Sequence, residues 1–491
     1  MTDAVSSEVV AALSPQARRT ARNAVARGSA EVVGKVSTLA WTLVAARSLD
    51  QQEFGAFAFA LAFSVLLGAL PEWGFPSALL QRGSREPRRI GALHSSALVW
   101  QIGLAVPVLA VGTLVAGLFR PSDAARVTLA LVGGAVLLDM WSDTCRTTAS
   151  ALQRQTGTST ALALQRVTTA VVIVSALAAD TGIVGMGAGL LAGSAFGAVA
   201  HAVALRRLGV SFDVTTLDRT GLRRFFDDTR VFGLCSLLLM ALFRVDAVLI
   251  SAFHDDTEVA VYAAAYRLLE TVLFITWSIN SAISPVIAAA SSDLAAVRRG
   301  LTAEFTAATV IYLPFAALLL AEAEPVLRLL FGQTYEHDSA SALRWLALSP
   351  LVYAFSFFAN HAFFALGKER VVLGASGAAL AINVTLNLVL IPSFAGTGAA
   401  AATTLSYLAL AFFLHIKLRP LLGGLGLARA VLEPATGALV LAVVVEVLRL
   451  PLLAEVPIGT AAYLVTWVAL VRWLDPGQLR VVRSVFPGAR S

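Results

Sequence analysis

Long stretches of this sequence carry no Asp, Glu, Lys or Arg. Ile90–Phe119 is one, and Thr271–Ser292 and Trp345–Gly367 are others. Val371–Ile416 is long enough for two helices around a turn at Pro392–Gly398. None alternates apolar and polar positions at period two, which excludes a transmembrane barrel. Runs of about 20 apolar residues suit bilayer-spanning helices, the other structure that satisfies its backbone inside a membrane. Breaking the chain at charge clusters and Gly/Pro turns predicts fourteen helices, at 28–47, 54–81, 90–118, 124–152, 159–179, 183–205, 230–252, 258–288, 301–321, 341–366, 370–391, 397–416, 428–448 and 456–474.

Composition agrees. The 491 residues are 57% hydrophobic and 14% charged, against roughly 25% charged for a soluble domain. A soluble enzyme and a disordered chain are both excluded. Placing the N-terminus in the cytoplasm puts 26 of the 37 Lys and Arg residues on the cytoplasmic side, five outside and six within spans. That asymmetry is a positive-inside signature, and it predicts cytoplasmic N- and C-termini. The net charge of +6 then belongs to loops facing anionic lipid, so nucleic-acid binding is not expected. Arg18, Arg19, Arg22 and Arg27 follow a helix start at Ser14-Pro15 with no apolar core, as in a short cytoplasmic or interfacial helix rather than a signal peptide. Cys145 and Cys235 lie in apolar stretches and predict no disulfide framework.

An internal repeat sets the organisation. Glu53-Phe54-Gly55-Ala56-Phe57-Ala58 matches Glu258-Val259-Ala260-Val261-Tyr262-Ala263 at an offset of 205. Ala151-Leu152-Gln153 matches Ala365-Leu366-Gly367 at 214. Six helices separate the partners, so the halves are parallel repeats. The expected domains are an N-terminal tail (1–27), an N-lobe (28–206), a linker (207–229), a C-lobe (230–418), two extra helices (426–475) and a C-terminal tail (476–491).

Several of these segments resemble the polysaccharide-biosynthesis flippases of the multidrug/oligosaccharidyl-lipid/polysaccharide exporter superfamily. The residues are Ala45-Ala46-Arg47-Ser48-Leu49 with Glu53-Phe54-Gly55; Asp246 with Tyr262, Ala265 and Arg267; and, most specifically, Asn383, Asn387, Ile391-Pro392 and Gly396-x-Gly398-Ala399-Ala400-x-Ala402-Thr403. Phe57 and Ala260 depart from the family's usual Tyr and Gly. The resemblance covers about 30–418. It implies an all-α polytopic membrane protein with two six-helix lobes around a central cavity, plus two C-terminal helices. It also implies alternating access, movement of a polyprenyl-pyrophosphate-linked oligosaccharide to the outer leaflet, and no covalent catalysis. The partners to expect are the lipid-linked glycan, membrane lipid, and a glycan polymerase or glycosyltransferases of the same pathway.

Ionisable residues inside spans are costly unless paired or wet, so each is a candidate for function. Arg267 and Glu270 share a helix face that Tyr262 and Tyr266 continue, and Arg244 and Asp246 lie on the preceding helix. They read as a cationic, aromatic-lined cavity wall suited to phosphate and sugar, or as ion pairs locking two helices. Lys35 follows Glu31 by one turn, which fits either a cavity or a routine helix pair. Asp139, Asp143 and Arg146 form a stripe, either wet or salt-bridged. Glu72 lies between Pro71 and Gly74, where a helix break is expected. Such breaks mark binding sites or plain kinks. The carboxylates Glu31, Glu72, Asp139, Asp143, Asp246 and Glu270 are candidates for ion coupling. Glu304 and Glu433 read as residues near helix starts, facing the dipole. No HExxH, CxxC or GxxxxGK[ST] pattern occurs, so no metal, cofactor or P-loop is expected.

Two alternatives stand beside the flippase. One is an ion-coupled drug or metabolite antiporter of the same fold, which the mixed charge of the spans does not exclude. The other is a membrane glycan-synthesis enzyme, disfavoured because the longest outer loop, about 322–340, is short.

Overall fold

The computed structural model describes residues 15–119, 122–289, 293–448 and 450–474. The remainder of the expected N-terminal tail and the expected C-terminal tail (476–491) lie outside them. About 90% of the model is helical, with no strand among the described residues. The helices are α1 (Pro15–Ser48), α2 (Gln51–Glu72), α3 (Phe75–Arg85), α4 (Ile90–Phe119), α5 (Asp123–Ala151), α6 (Thr156–Ala178), α7 (Gly182–Arg206), α8 (Arg219–Phe253), α9 (Asp256–Val272), α10 (Phe274–Ala289), α11 (Leu294–Ala321), α12 (Ala323–Phe331), α13 (Gln333–Glu336), α14 (Ala340–Leu346), α15 (Ser349–Ala365), α16 (Glu369–Leu422), α17 (Leu427–Leu448) and α18 (Leu452–Leu474).

Among the described residues, twelve segments are long and apolar enough to cross a membrane. One is α16, whose 54 residues would reach about 80 Å if straight, far more than one bilayer. Ala395, at φ 44° and ψ −128°, breaks it into two spans at the expected Pro392–Gly398 turn. Adding α1, whose polar N-terminal half lowers its average, gives the fourteen spans the sequence predicts.

Several boundaries differ from expectation. The Arg-bearing helix, whose expected N-cap Ser14 lies outside the described residues, runs without a break into the first span. It is fastened by Asn23, which donates to the Gln153 carbonyl at 2.6 Å. The predicted 258–288 helix breaks between α9 and α10, and 341–366 divides into α14 and α15. Part of the expected linker is the first turns of α8. Glu304 lies three turns inside α11 and Glu433 well inside α17, so the dipole reading lapses for both.

The repeat is visible in the backbone. Asp50 accepts from the Glu53 amide at 2.7 Å, and Asp255, 205 positions on, accepts from the Glu258 amide at 3.3 Å. Each side chain caps the helix it precedes. At the second match, the Arg154 amide donates to the Ala149 carbonyl and the Lys368 amide to the Phe363 carbonyl, at 2.9 and 2.8 Å. Both close a left-handed helix C-terminus, at Gln153 (φ 55°) and Gly367 (φ 66°). Positive φ recurs at two more matched positions, Asp180 with Ala395 and Gly209 with Gly423.

The chain forms two compact units. The first is Met1–Leu49 with Ala60–Met240, and the second is Asp50–Phe59 with Ala241–Ser491. In the first, the helix break after Glu72 (Trp73 φ 40°, Gly74 φ 64°) abuts α8 so closely that a Cβ on Gly74 would lie 2.7 Å from the Gly233 nitrogen. Trp73 stacks on Phe226 at 5.6 Å. In the second, the repeat-matched starts of α2 and α9 cross at Gly55, where a Cβ would fall 1.7 Å from the Asp256 carbonyl oxygen.

Candidate functional site

In the second unit, α8 presents Arg244 and Asp246 to α9 and α16. The 262/266/270 spacing sets Tyr262, Tyr266 and Glu270 along one face of α9, with Arg267 beside Glu270. Glu270 accepts from Arg244 at 2.5 Å and from Arg267 Nη1 at 3.0 Å. The side chains of all three are between 14% and 21% exposed, neither sealed in the core nor open to lipid. The Nε–H of Arg244 is buried and has no acceptor among the described residues.

Asp246 is not part of this ion pair. It is fully buried and is held by neutral donors: the Tyr262 hydroxyl at 2.9 Å, Asn387 Nδ2 at 2.6 Å and the Thr403 hydroxyl. Asn387 also donates to Asn383 Oδ1 at 3.0 Å along the same helix, so Asn387 bonds both across and along helices. The motif that carried the resemblance builds this cluster. The break in α16 brings Asn387 and Thr403, on opposite sides of it, to one carboxylate. Gly396 leaves room for Tyr262, whose Cβ would be 3.2 Å from a Cβ there. Gly398 lies against the Leu390 carbonyl, 2.6 Å from where its Cβ would be. Carboxylate, amide and hydroxyl oxygens together are the donor set of a hard-cation or proton site.

Tyr262 and Tyr266 pack 5.4 Å apart and are buried. The Tyr266 hydroxyl donates to the Phe243 carbonyl at 3.0 Å. Both hydroxyls are therefore engaged within the unit. The aromatic group continues through Phe243, Tyr353 and Tyr407, with centroids 5.2–6.0 Å apart.

In the first unit, the predicted stripe on α5 meets α1 and α6. Arg146 pairs with Asp143 and reaches Glu31 at 3.8 Å. Asp139 accepts from Gln165 at 2.6 Å and from Arg166 at 3.4 Å. The Arg166 stem lies over Gly34, 3.3 Å from where a Cβ would be, next to the half-buried Lys35. Arg166 and Gln165 were missed as site residues; their partner is 26–27 positions away, and no local spacing signals it. Glu72 ends α2 at the break, within electrostatic reach of Arg146.

Outside the spans, Glu324, Glu336 and His337 bring ligand atoms within 4.8 Å of one another, a cluster without a sequence pattern. Arg328 already holds Glu336, and Arg344 holds Glu324 at 3.2 Å. A metal ion there would have to displace two guanidinium groups.

Two family models match more than half of the chain each: the polysaccharide biosynthesis protein family over residues 20–291 and the lipid II flippase MurJ family over residues 159–468. No curated protein matches. Among solved structures, an inward closed lipid II flippase MurJ is 14% identical, covering 91% of this chain and 98% of its own, with a TM-score of 0.75. An inward-facing multidrug resistance MATE family transporter is 16% identical, covering 82% and 99%, with a TM-score of 0.66. A MOP superfamily transporter from Pyrococcus furiosus is 16% identical, covering 82% and 96%, with a TM-score of 0.63. At these identities the solved structures establish the fold, and the family models establish the lineage. The chain belongs to the polysaccharide-biosynthesis flippase family of the multidrug/oligosaccharidyl-lipid/polysaccharide exporter superfamily, and is a multi-pass membrane transporter.

Proposed function

We propose that the protein flips a polyprenyl-pyrophosphate-linked oligosaccharide from the cytoplasmic to the outer leaflet of the bacterial plasma membrane. The observation that carries this is the convergence of Arg244 and Arg267 on the one carboxylate of Glu270. The three groups together bear one net positive charge, and the acceptor-less Nε–H of Arg244 is a ready donor to a phosphate oxygen. A diphosphate presents the oxygen geometry that a guanidinium fork matches best. Binding would exchange a carboxylate oxygen for a phosphate oxygen, leaving no guanidinium in hydrocarbon without an acceptor. Lys35, Arg146 and Arg166, balanced by Glu31, Asp139 and Asp143, supply a second polar surface in the first unit. The membrane potential, inside negative, favours outward movement of an anionic head by about 2.3 kcal/mol per charge per 100 mV.

Asp246, with Asn383, Asn387 and Thr403, is the coupling carboxylate in this reading, taking a cation or proton. Tyr262 and Tyr266 position Asp246 and the aromatic wall. The likeness to multidrug MATE transporters keeps an ion-coupled antiporter as the second reading. Arg267→Ala should abolish surface-glycan export while the protein still accumulates in the membrane, with drug susceptibility unchanged. Normal export from that variant would sink the flippase assignment of the cluster, and altered susceptibility alone would favour the antiporter.

A further inference from the structure

A cavity of about 290 Å³ lies inside the first unit, between α2, α4 and α5, and its lining includes none of the ionisable residues of the polar clusters described above. Its lining is almost wholly apolar. Three glycines shape it: Gly68, Gly112 and Gly133. At Gly112 an added Cβ would meet only Leu67, at an ordinary 3.4 Å, and at Gly133 only the Ser64 hydroxyl, at 3.8 Å. A side chain at Gly112 or Gly133 would therefore grow into the cavity. At Gly68 it would strike Val136 at 2.8 Å, so the base is closed. The outer wall is α4, the least enclosed of the spanning helices, with Val106 and Leu109 exposed on it.

The rim is different in kind. Arg126 lines it from the first turns of α5. Ser122 precedes that helix without a side-chain cap, so the dipole of its N-terminus adds to the positive field. Arg126 pairs with Asp123 at 3.3 Å, with side chains 42% and 94% exposed, a pair of the weak surface kind. Along α5 the lining runs from Arg126 to Leu137, about 16 Å at 1.5 Å per residue. That matches one leaflet of a hydrocarbon core about 30 Å thick. An apolar slot one leaflet deep, closed at its base and rimmed by a cation where lipid phosphates lie, has the form of a lipid.

We propose that this cavity binds one acyl chain of an anionic glycerophospholipid, with the phosphate at Arg126. The site is separate from the arginine clusters assigned to the glycan carrier, and its occupancy is independent of export.

The test is lipid retention by the purified protein, measured by native mass spectrometry with phosphatidylglycerol and phosphatidylethanolamine in competition. Wild type should retain phosphatidylglycerol in preference. Gly112→Leu, which fills the slot, should lower its retention by about tenfold, the equivalent of 1.4 kcal/mol. Arg126→Ala should keep a lipid but reduce the preference by about fivefold, the effect expected of one basic side chain at a membrane surface. Leu109→Trp narrows the slot from the exposed wall and decides the matter if Gly112→Leu does not accumulate. Undiminished phosphatidylglycerol on the filled variants, or no preference in wild type, would overturn the proposal. Release of phosphatidylglycerol by an added polyprenyl-pyrophosphate glycan would give the cavity to the substrate's tail and overturn it equally.

Discussion

Asp246 shows what a buried carboxylate needs in a membrane. It takes hydrogen bonds from a phenol, an amide and a hydroxyl carried by three separate stretches of chain. Thr403→Val keeps the shape and removes one bond to a charged group, which should destabilise the protein by about 2 kcal/mol. Thr403→Ser should restore most of it, as read by thermal unfolding in detergent. Asp246→Asn should leave the protein in the membrane but remove any dependence of export on cation or pH. Outside the spans, hydrogen bonds from Arg328 hold the Glu336 carboxyl below its ordinary value of 4.5. Its contribution is complete above pH 4.5 and is lost as pH falls through the lower folded value. Amide exchange across 323–346 should quicken in that acid range, and in Arg328→Ala its onset should move up toward pH 4.5. Spacing alone placed Arg267 beside Glu270 and Tyr262 in line with Tyr266. It could not place Thr403 on Asp246, 157 positions apart, because that contact depends on how two helices rotate about their own axes.

At the level of helices, glycine decides where two may touch. Gly55 lets α2 reach the backbone of α9, and the atom that a Cβ would strike is the Asp256 carbonyl oxygen, not a flexible side chain. Gly55→Ala should therefore cost about 3 kcal/mol, the upper part of the range for overpacking, and lower the yield of folded protein on size-exclusion chromatography. The close approaches at Gly396 and Gly398 follow the same logic. Helix breaks were the most legible elements in the sequence. Pro71 with Gly74, and Pro392 through Gly398, announce them by backbone chemistry that does not depend on tertiary context. The break between α9 and α10 carries no such residue, since Leu273 separates Val272 from Phe274, and the sequence pattern passed over it. Helix faces were hardly legible. In hydrocarbon the surface facing lipid and the surface facing the core are both apolar, so the amphipathic stripe that orients a helix in a soluble protein is faint.

For the whole molecule, the charge asymmetry of the loops predicts which ends face the cytoplasm. With Cys145 and Cys235 replaced by alanine, Ser211→Cys and Asp338→Cys offer one exposed thiol each. In intact cells an impermeant maleimide should label position 338 and leave 211 unlabelled until the cells are opened, and the reverse pattern would invert the topology. Number of spans, fold class and family could all be read from the chain, because they rest on run length, charge placement and turn chemistry. The pairing of Asp139 with Gln165 and Arg166 could not, because it rests on packing. Left-handed residues at 153, 180 and 209 return at 367, 395 and 423, although the residues themselves are Gln, Asp and Gly in one half and Gly, Ala and Gly in the other. The backbone thus reverses at matching places in the two halves, while the side chains at and around those places differ. One half now carries a carboxylate shared by two arginines, and the other carries a chain of paired charges. The bends therefore mark the repeat more plainly than any stretch of shared sequence does, because a reversal of the backbone can keep its place while the residue that makes it changes.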